Sequence, residues 1–326
     1  MAELQFREAI RRALTEEMRR DERVFIMGEE VAEYNGAYKV TQGMLDEFGF
    51  KRVIDTPISE LGFSGLGVGA AMNGLRPVVE FMTFNFALVA IDQILNHAAK
   101  IRYMSGGQVK IPIVFRGPNA SAGQLGATHS LAFESLYSHF PGLKVIYASE
   151  PYESYGLLKS AIRDDNPVIF LESEQTYGMK QEIPDEEFLI PIGKGVIKRA
   201  GKDVTIVAHG KAYFIAQKAA EELAKEGIEA EIIDPRTMKP FDIDLVVESV
   251  KRTNRCIVVD ESHPFAGMAS EIGFQIQREA FDYLDAPILR VTLPDVPAPF
   301  SKKLFDLWFP QPKQVIDAVK TVLYRN

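Results

Sequence analysis

Short, almost continuously apolar runs alternate with longer amphipathic stretches along the whole chain, and that rhythm most constrains its fold. The first series of runs is Val24-Phe25-Ile26-Met27, Arg52-Val53-Ile54, Pro77-Val78-Val79-Glu80-Phe81, Ile111-Pro112-Ile113-Val114-Phe115, Val145-Ile146-Tyr147 and Val168-Ile169-Phe170-Leu171. Helical patterns fall between them, near 59–73, 86–103, 130–138 and 151–164. β-branched runs without polar alternation are strands buried on both faces, which requires a parallel sheet covered by helices. A helix precedes the series, with Phe6, Ile10, Leu14 and Met18 recurring every four residues to form one apolar stripe.

A second series follows the polar, proline-bearing segment Gln181-Glu182-Ile183-Pro184-Asp185-Glu186-Glu187, which reads as a linker. Its strands are Val204-Thr205-Ile206-Val207, Ala230-Glu231-Ile232-Ile233, Cys256-Ile257-Val258-Val259 and Ile288-Leu289-Arg290-Val291, with helices near 211–226, 242–251, 266–281 and 312–324. Gly227 after Lys225-Glu226 stops the first of these helices, and the proline-rich stretch 294–299 reads as loop. The expectation is two α/β domains with parallel sheets, residues 1–185 and 190–326, and the length of 326 residues suits two domains.

Charge removes several functions. The sum of 37 basic and 45 acidic residues is −8, so bulk attraction to a nucleic-acid backbone is excluded as the main mode of action. Apolar stretches fall short of the ~20 residues a membrane helix needs. One cysteine, Cys256, lies in an apolar run and reads as a buried strand residue, and a reducing cytoplasm is the expected compartment. The N-terminus carries neither a signal core nor a transit-peptide composition. With five histidines and one cysteine there is no zinc-ligand spacing.

Candidate chemistry concentrates at a few loops. Gly65-x-Gly67-x-x-Ala70 matches a loose dinucleotide fingerprint, but the preceding strand ends about ten residues too early for it. Small residues at that spacing instead predict close packing of a helix. Glu60 follows a strand and opens that helix, where a carboxylate either caps the N-terminus or, among Ile58, Leu61 and Phe63, is tuned for proton work. Both readings stay open from spacing alone. His129 closes a loop rich in glycine and small polar residues (117–128) and is a candidate acid/base. His97 and His139 read as structural, while His209 and His263 end strands of the second series and remain open. Phe81, Phe84 and Phe86 read as core.

Six ordered motifs then resemble one family, the beta subunits of the thiamine-diphosphate-dependent 2-oxo acid dehydrogenases, with the pyruvate dehydrogenase branch the nearest. They are Asp55-Thr56-Pro57-Ile58-Ser59-Glu60, Glu80-Phe81-Met82-Thr83-Phe84-Asn85-Phe86, Tyr103-Met104-Ser105-Gly106-Gly107, Pro141-Gly142-Leu143-Lys144-Val145, the segment from Lys159 to Pro167, and Leu284-Asp285-Ala286-Pro287. The resemblance runs from about Phe6 to the C-terminus. It implies a pyrimidine-binding domain followed by a transketolase C-terminal-type domain. Glu60 falls at the cofactor-activating glutamate, which hydrogen-bonds the aminopyrimidine and favours the imino tautomer that deprotonates the thiazolium carbon. Phe86 matches the aromatic on the pyrimidine, with Ile58 and Met82 lining the pocket; this replaces the core reading for Phe86.

The resemblance also implies that His129 serves acyl transfer to the lipoyl group, although many relatives continue His-Ser-Gln where this chain reads His129-Ser130-Leu131. Ile113, Ala161, Ile162, Asp164 and Asn166 match a potassium site in the pyruvate-type branch, built of the hard oxygens such an ion takes; read without the family, the segment is a helix-end turn before Pro167. Thiamine-diphosphate enzymes hold Mg²⁺ and the diphosphate with a Gly-Asp-Gly segment followed by an Asn, and this chain contains no Gly-Asp-Gly. The implied partner is an alpha subunit in an α₂β₂ heterotetramer that supplies the metal-binding half. Asp285 is a possible contact for the subunit-binding domain of the lipoyl acyltransferase, or simply a turn aspartate. The competing readings are a branched-chain 2-oxo acid or acetoin dehydrogenase beta subunit and, in another class, a non-catalytic α/β binding module.

Overall fold

The computed structural model describes residues 1–325. The chain divides into two compact units, residues 1–119 with 136–192, and residues 120–135 with those from Gly193 onward. The segment 120–135, which carries His129, thus joins the second unit although it lies inside the first in sequence.

In the first unit the strands β2 (Val24–Gly28), β3 (Val53–Asp55), β4 (Arg76–Glu80), β5 (Val114–Pro118), β6 (Lys144–Tyr147) and β7 (Val168–Glu172) lie parallel in the order β6-β7-β5-β4-β2-β3. The helices are α1 (Phe6–Arg20), α2 (Met44–Phe48), α3 (Glu60–Met72), α4 (Ala99–Met104), α5 (Glu134–His139), which starts in the other unit's segment, and α6 (Pro151–Arg163). The stripe Phe6, Ile10, Leu14 and Met18 of α1 is buried, as its four-residue spacing requires. The connection after β2 leads to β3 on one side, and the one after β4 leads to β5 on the other. β2 and β4 therefore flank a switch point, where the carboxyl ends of an open parallel sheet form a crevice. Among the glycines of α3, Gly67 is the one that packs on the sheet: a Cβ there would stand 2.8 Å from Val79 Cγ2, whereas one on Gly69 would meet open space.

In the second unit β9 (Val196–Arg199), β10 (Val204–Ala208), β11 (Ala230–Asp234), β13 (Cys256–Val259) and β14 (Leu289–Val291) lie in the order β14-β13-β10-β11-β9, with only β9 antiparallel. A short strand, β12, spans Thr237–Lys239. Helices α7 (Gly210–Lys225), α8 (Ile243–Thr253), α9 (Met268–Ala280), α10 (Lys302–Trp308) and α11 (Pro312–Val322) complete the unit.

Three local expectations change. The stretch 86–103 is a 3₁₀ turn (Phe84–Ala90), a π turn (Gln93–Ala98) and α4 rather than one helix. The polar segment read as a linker contributes β8 (Lys180–Ile183), paired antiparallel with β1 (Ala2–Gln5); both strands are short, polar and half-exposed, so neither carries an apolar run to betray it. Helix α10 follows the proline-rich loop and has a single buried residue, Trp308, which leaves little periodicity to read.

Candidate active site

The carboxyl ends of three adjacent strands, β3, β2 and β4, bring together the residues expected to bind the pyrimidine. Glu60 is the first residue of α3, and its side chain is buried with 7% exposure. Ser59 at the N-cap makes no side-chain capping bond, so the carboxylate sits at an N-terminus whose dipole favours negative charge. Ile58, two residues earlier, is 86% exposed, an apolar side chain in the open beside a buried acid. Met82 and Phe86, half-buried, follow β4, and Thr83 caps the 3₁₀ turn that carries Phe86 by accepting from Asn85 N. Phe81 packs edge-on to Phe84 and stacks on Phe115, which makes it core, as the sequence suggests.

Glu29, directly after β2, completes the group, although no motif in the sequence marks it. Burial pushes its carboxyl pKa up, and the charge of Glu60 and a hydrogen bond shared with Glu60 push it the same way. Its Oε1 is buried with no hydrogen-bond partner among the described residues. Two loops are tied together to hold the pair: Asp55 accepts from Ala32 N at 2.6 Å and Glu33 N at 3.1 Å, and Thr56 N donates to Gly28 O at 3.0 Å. The only sequence signal for Glu29 is its place after a strand, which Glu30 shares. An orphaned buried carboxyl oxygen beside a second buried acid, open to an exposed apolar side chain, fits the proton-bearing edge of an aromatic nitrogen ring.

His129 lies at the end of a 3₁₀ turn, Ala127–His129, in the second unit. It is half-exposed, with Nδ1 3.0 Å from Thr128 Oγ1. The segment folds on itself through Ala120 N to Leu131 O at 3.0 Å and Ser130 Oγ to Gly126 O at 2.9 Å.

The expected potassium ligands meet at the C-terminus of α6. The Ala161 carbonyl accepts from Asp164 N, and the Ile113 carbonyl accepts from Val168 N. Arg76 donates to the Ile162 and Asp164 carbonyls at 2.9 and 3.0 Å, the Asp164 carboxylate pairs with Lys144, and Asn166 Oδ1 accepts from Arg102. The donors are hard oxygens, and each carbonyl keeps a second lone pair, so the set fits a monovalent cation that would share two of its carbonyls with Arg76. In the second unit the Asp285 carboxylate stands 3.2 Å from Arg255 Nη2, so any docking partner would compete with an internal ion pair. Cys256 is buried, and burial pushes its thiol up to about 12, as its strand position suggests. His209, left open by the sequence, is fully buried between Glu134 and Asp260. Its contacts join segments far apart in sequence, which no spacing rule could have paired.

The crevice, its two acids and the two-unit architecture define a transketolase-like chain. Residues 2–180 match the family described as the transketolase pyrimidine binding domain, and residues 193–315 match the transketolase C-terminal domain. A solved structure described as a split-gene transketolase, an inactive β4 tetramer, shares the fold at a TM-score of 0.80 and 23% identity over 98% of both chains. The pyruvate dehydrogenase E1 component subunit beta of Rhizobium meliloti is 56% identical over 100% of this chain and 71% of its own length. The Rickettsia felis protein of that description is 55% identical over 98% of both, and the mitochondrial one of Bos taurus is 52% identical over 97% of this chain and 90% of its own. The chain belongs to the family of pyruvate dehydrogenase E1 component beta subunits. It is thus one subunit of a thiamine-dependent oxidoreductase family, and no described helix is long and apolar enough to cross a membrane.

Proposed function

We propose that this chain is the beta half of a cytoplasmic, two-chain enzyme that oxidatively decarboxylates pyruvate and passes the acetyl group to a lipoyl-bearing acyltransferase. The observation that carries the proposal is the buried Glu29–Glu60 pair at the sheet switch point. Thiamine diphosphate, when bound, supplies the reactive carbon and the electron sink. Glu60 exchanges a proton with the ring nitrogen of the aminopyrimidine. Glu29, whose carboxyl pKa is raised by burial and by the charge of Glu60, shares a hydrogen bond with Glu60. Ile58, Met82 and Phe86 provide the apolar wall that excludes water from that proton, and His129 acts as the acyl group moves to one sulfur of the lipoyl disulfide, whose S–S bond breaks and accepts the two electrons while the other sulfur leaves as the thiol.

The chain's own residues cover the pyrimidine half only. An alpha subunit in an α₂β₂ assembly would hold Mg²⁺ and the diphosphate, a division that the missing Gly-Asp-Gly supports. Carbonyl and carboxylate oxygens of Ile113, Ala161, Ile162, Asp164 and Asn166 would hold potassium, and Asp285 would meet the basic subunit-binding domain of the acyltransferase. The test is co-expression with the alpha chain, followed by decarboxylation assays on pyruvate and on branched-chain 2-oxo acids. Pyruvate turnover that depends on both chains is expected. Turnover by the beta chain alone would sink the split site, and preference for a branched substrate would move the chain to the competing specificity.

A further inference from the structure

The segment 120–135, which carries His129, is held in place from within the second unit. Its two ends are gripped from one short stretch of the second unit, where β10 runs into α7. His209 stands at the N-cap position of α7, Gly210 turns the chain at a positive φ of 54°, and Lys211 follows. At the start of the segment, Lys211 Nζ donates to the carbonyl and the hydroxyl of Ser121, both at 2.6 Å. The same ammonium is 3.2 Å from Glu261 Oε2 and lies 4.5 Å above the Phe309 ring. At the far end, Glu134 Oε1 is 3.9 Å from His209 Nε2, which is 3.6 Å from Asp260 Oδ1. All three of those side chains are fully buried.

The two grips share one plan. Each is a cation two positions from the other, facing a group of the segment on one side and one of two consecutive acids after β13 on the other. Those acids are themselves fixed. Asp260 accepts from Ser262 N at 3.0 Å, Ser262 Oγ at 2.6 Å and Ala269 N at 3.2 Å, and Glu261 accepts from Lys211 N at 3.3 Å. A buried cation flanked by two acceptors resists displacement, because moving either end of the segment takes away an acceptor that water cannot replace in a dry interior.

We propose that His209 and Lys211 are positioning residues, a two-point clamp that sets the placement of segment 120–135 and so aims His129 during acyl transfer. The proposal rests on the reading of His129 given above. The electrostatics agree with it: burial alone would favour neutral imidazole, but Glu134, Asp260 and Asp234 outweigh it and raise His209 to about 9. The groups facing the imidazole are those three carboxylates, and at neutral pH the clamp is charged.

The experiment uses the assembled alpha–beta enzyme with Lys211→Met, Lys211→Arg and Glu134→Gln. Two rates are compared, decarboxylation with ferricyanide as electron acceptor and reductive acetylation of a free lipoyl domain; amide exchange is followed over 120–135. Lys211→Met is expected to accelerate exchange across the segment and to lower acetylation at least tenfold more than decarboxylation. Lys211→Arg should recover most of the loss, since it keeps the charge and the donors. Glu134→Gln, nearly isosteric, should loosen the far end if Lys211→Met does not assemble. Unchanged exchange in an assembled variant overturns the clamp. His129→Ala separates the two readings: acetylation unharmed there, with exchange still faster in Lys211→Met, refutes the role of His129 and leaves the clamp standing.

Discussion

The two buried acid clusters of this chain are built in opposite ways. In the first unit, Glu29 and Glu60 face each other, burial raises the Glu29 carboxyl, and no cation among the described residues offsets it. In the second, Glu134 and Asp260 enclose His209, whose charge is held to about 9. A cluster that contains its own counter-ion is complete and serves to hold a structure. One that lacks it is costly until something arrives, and Glu29 Oε1 is the atom left waiting. That difference supports reading the first as a binding site and the second as a clamp.

The sharpest way to break the comparison is Glu60→Gln in the assembled enzyme. Losing the proton partner should lower kcat about 10²–10⁴-fold with little change in thermal midpoint, measured by steady-state kinetics and calorimetry. A change in stability without a change in rate would make the first cluster structural. His209→Gln should do the reverse. It leaves two carboxylates buried without their cation and should cost roughly 3–5 kcal/mol in denaturant titration. Adding Glu134→Gln to it should recover part of that loss, and no recovery would show that the cluster is not held by charge.

The two clusters also differ in the sign of their pH dependence. His209 is raised when folded, so its contribution is fully present below the unfolded value of 6.5 and is lost as pH rises through about 9. Unfolding midpoints of the wild type should therefore fall over that interval, and those of His209→Gln should not. Glu29 is likewise raised, but it ionises within the fold against burial and Glu60, so the isolated subunit loses stability as pH climbs above the ordinary carboxyl value. Glu29→Gln should raise the midpoint at pH 8 by a few degrees and change it less at pH 5. This is the smallest effect, and equal shifts at both pH values would separate Glu29 from any charge coupling to Glu60.

Much of this was legible in the residues. Continuous β-branched runs such as Val168-Ile169-Phe170-Leu171 mark strands buried on both faces, and β7 is buried throughout. The α1 stripe and the close packing at Gly67 of α3 could be read because a helix repeats at a known period and a glycine leaves room for a neighbour. Glu60 and His129 were visible as candidates because they follow strands, where open sheets collect ligands. The paired polar strands β1 and β8 were not, since Ala2 and its partner Ile183 are 181 positions apart (183 − 2) rather than neighbours in a hairpin, and neither strand has a buried face to mark it.

What the sequence determined by itself, then, is local: element types and their order, the absence of a Gly-Asp-Gly half-site, and the chemical identity of Glu60, Phe86 and His129. Tertiary structure alone decided which buried groups face one another. Glu29 meets Glu60 across adjacent strands, and His209 meets Glu134 and Asp260 across segments separated by 75 and 51 positions (209 − 134 and 260 − 209). The physical reason is that periodicity reports how one element meets its surroundings, whereas the charge state of a buried group depends on the particular groups that folding sets within a few ångströms of it.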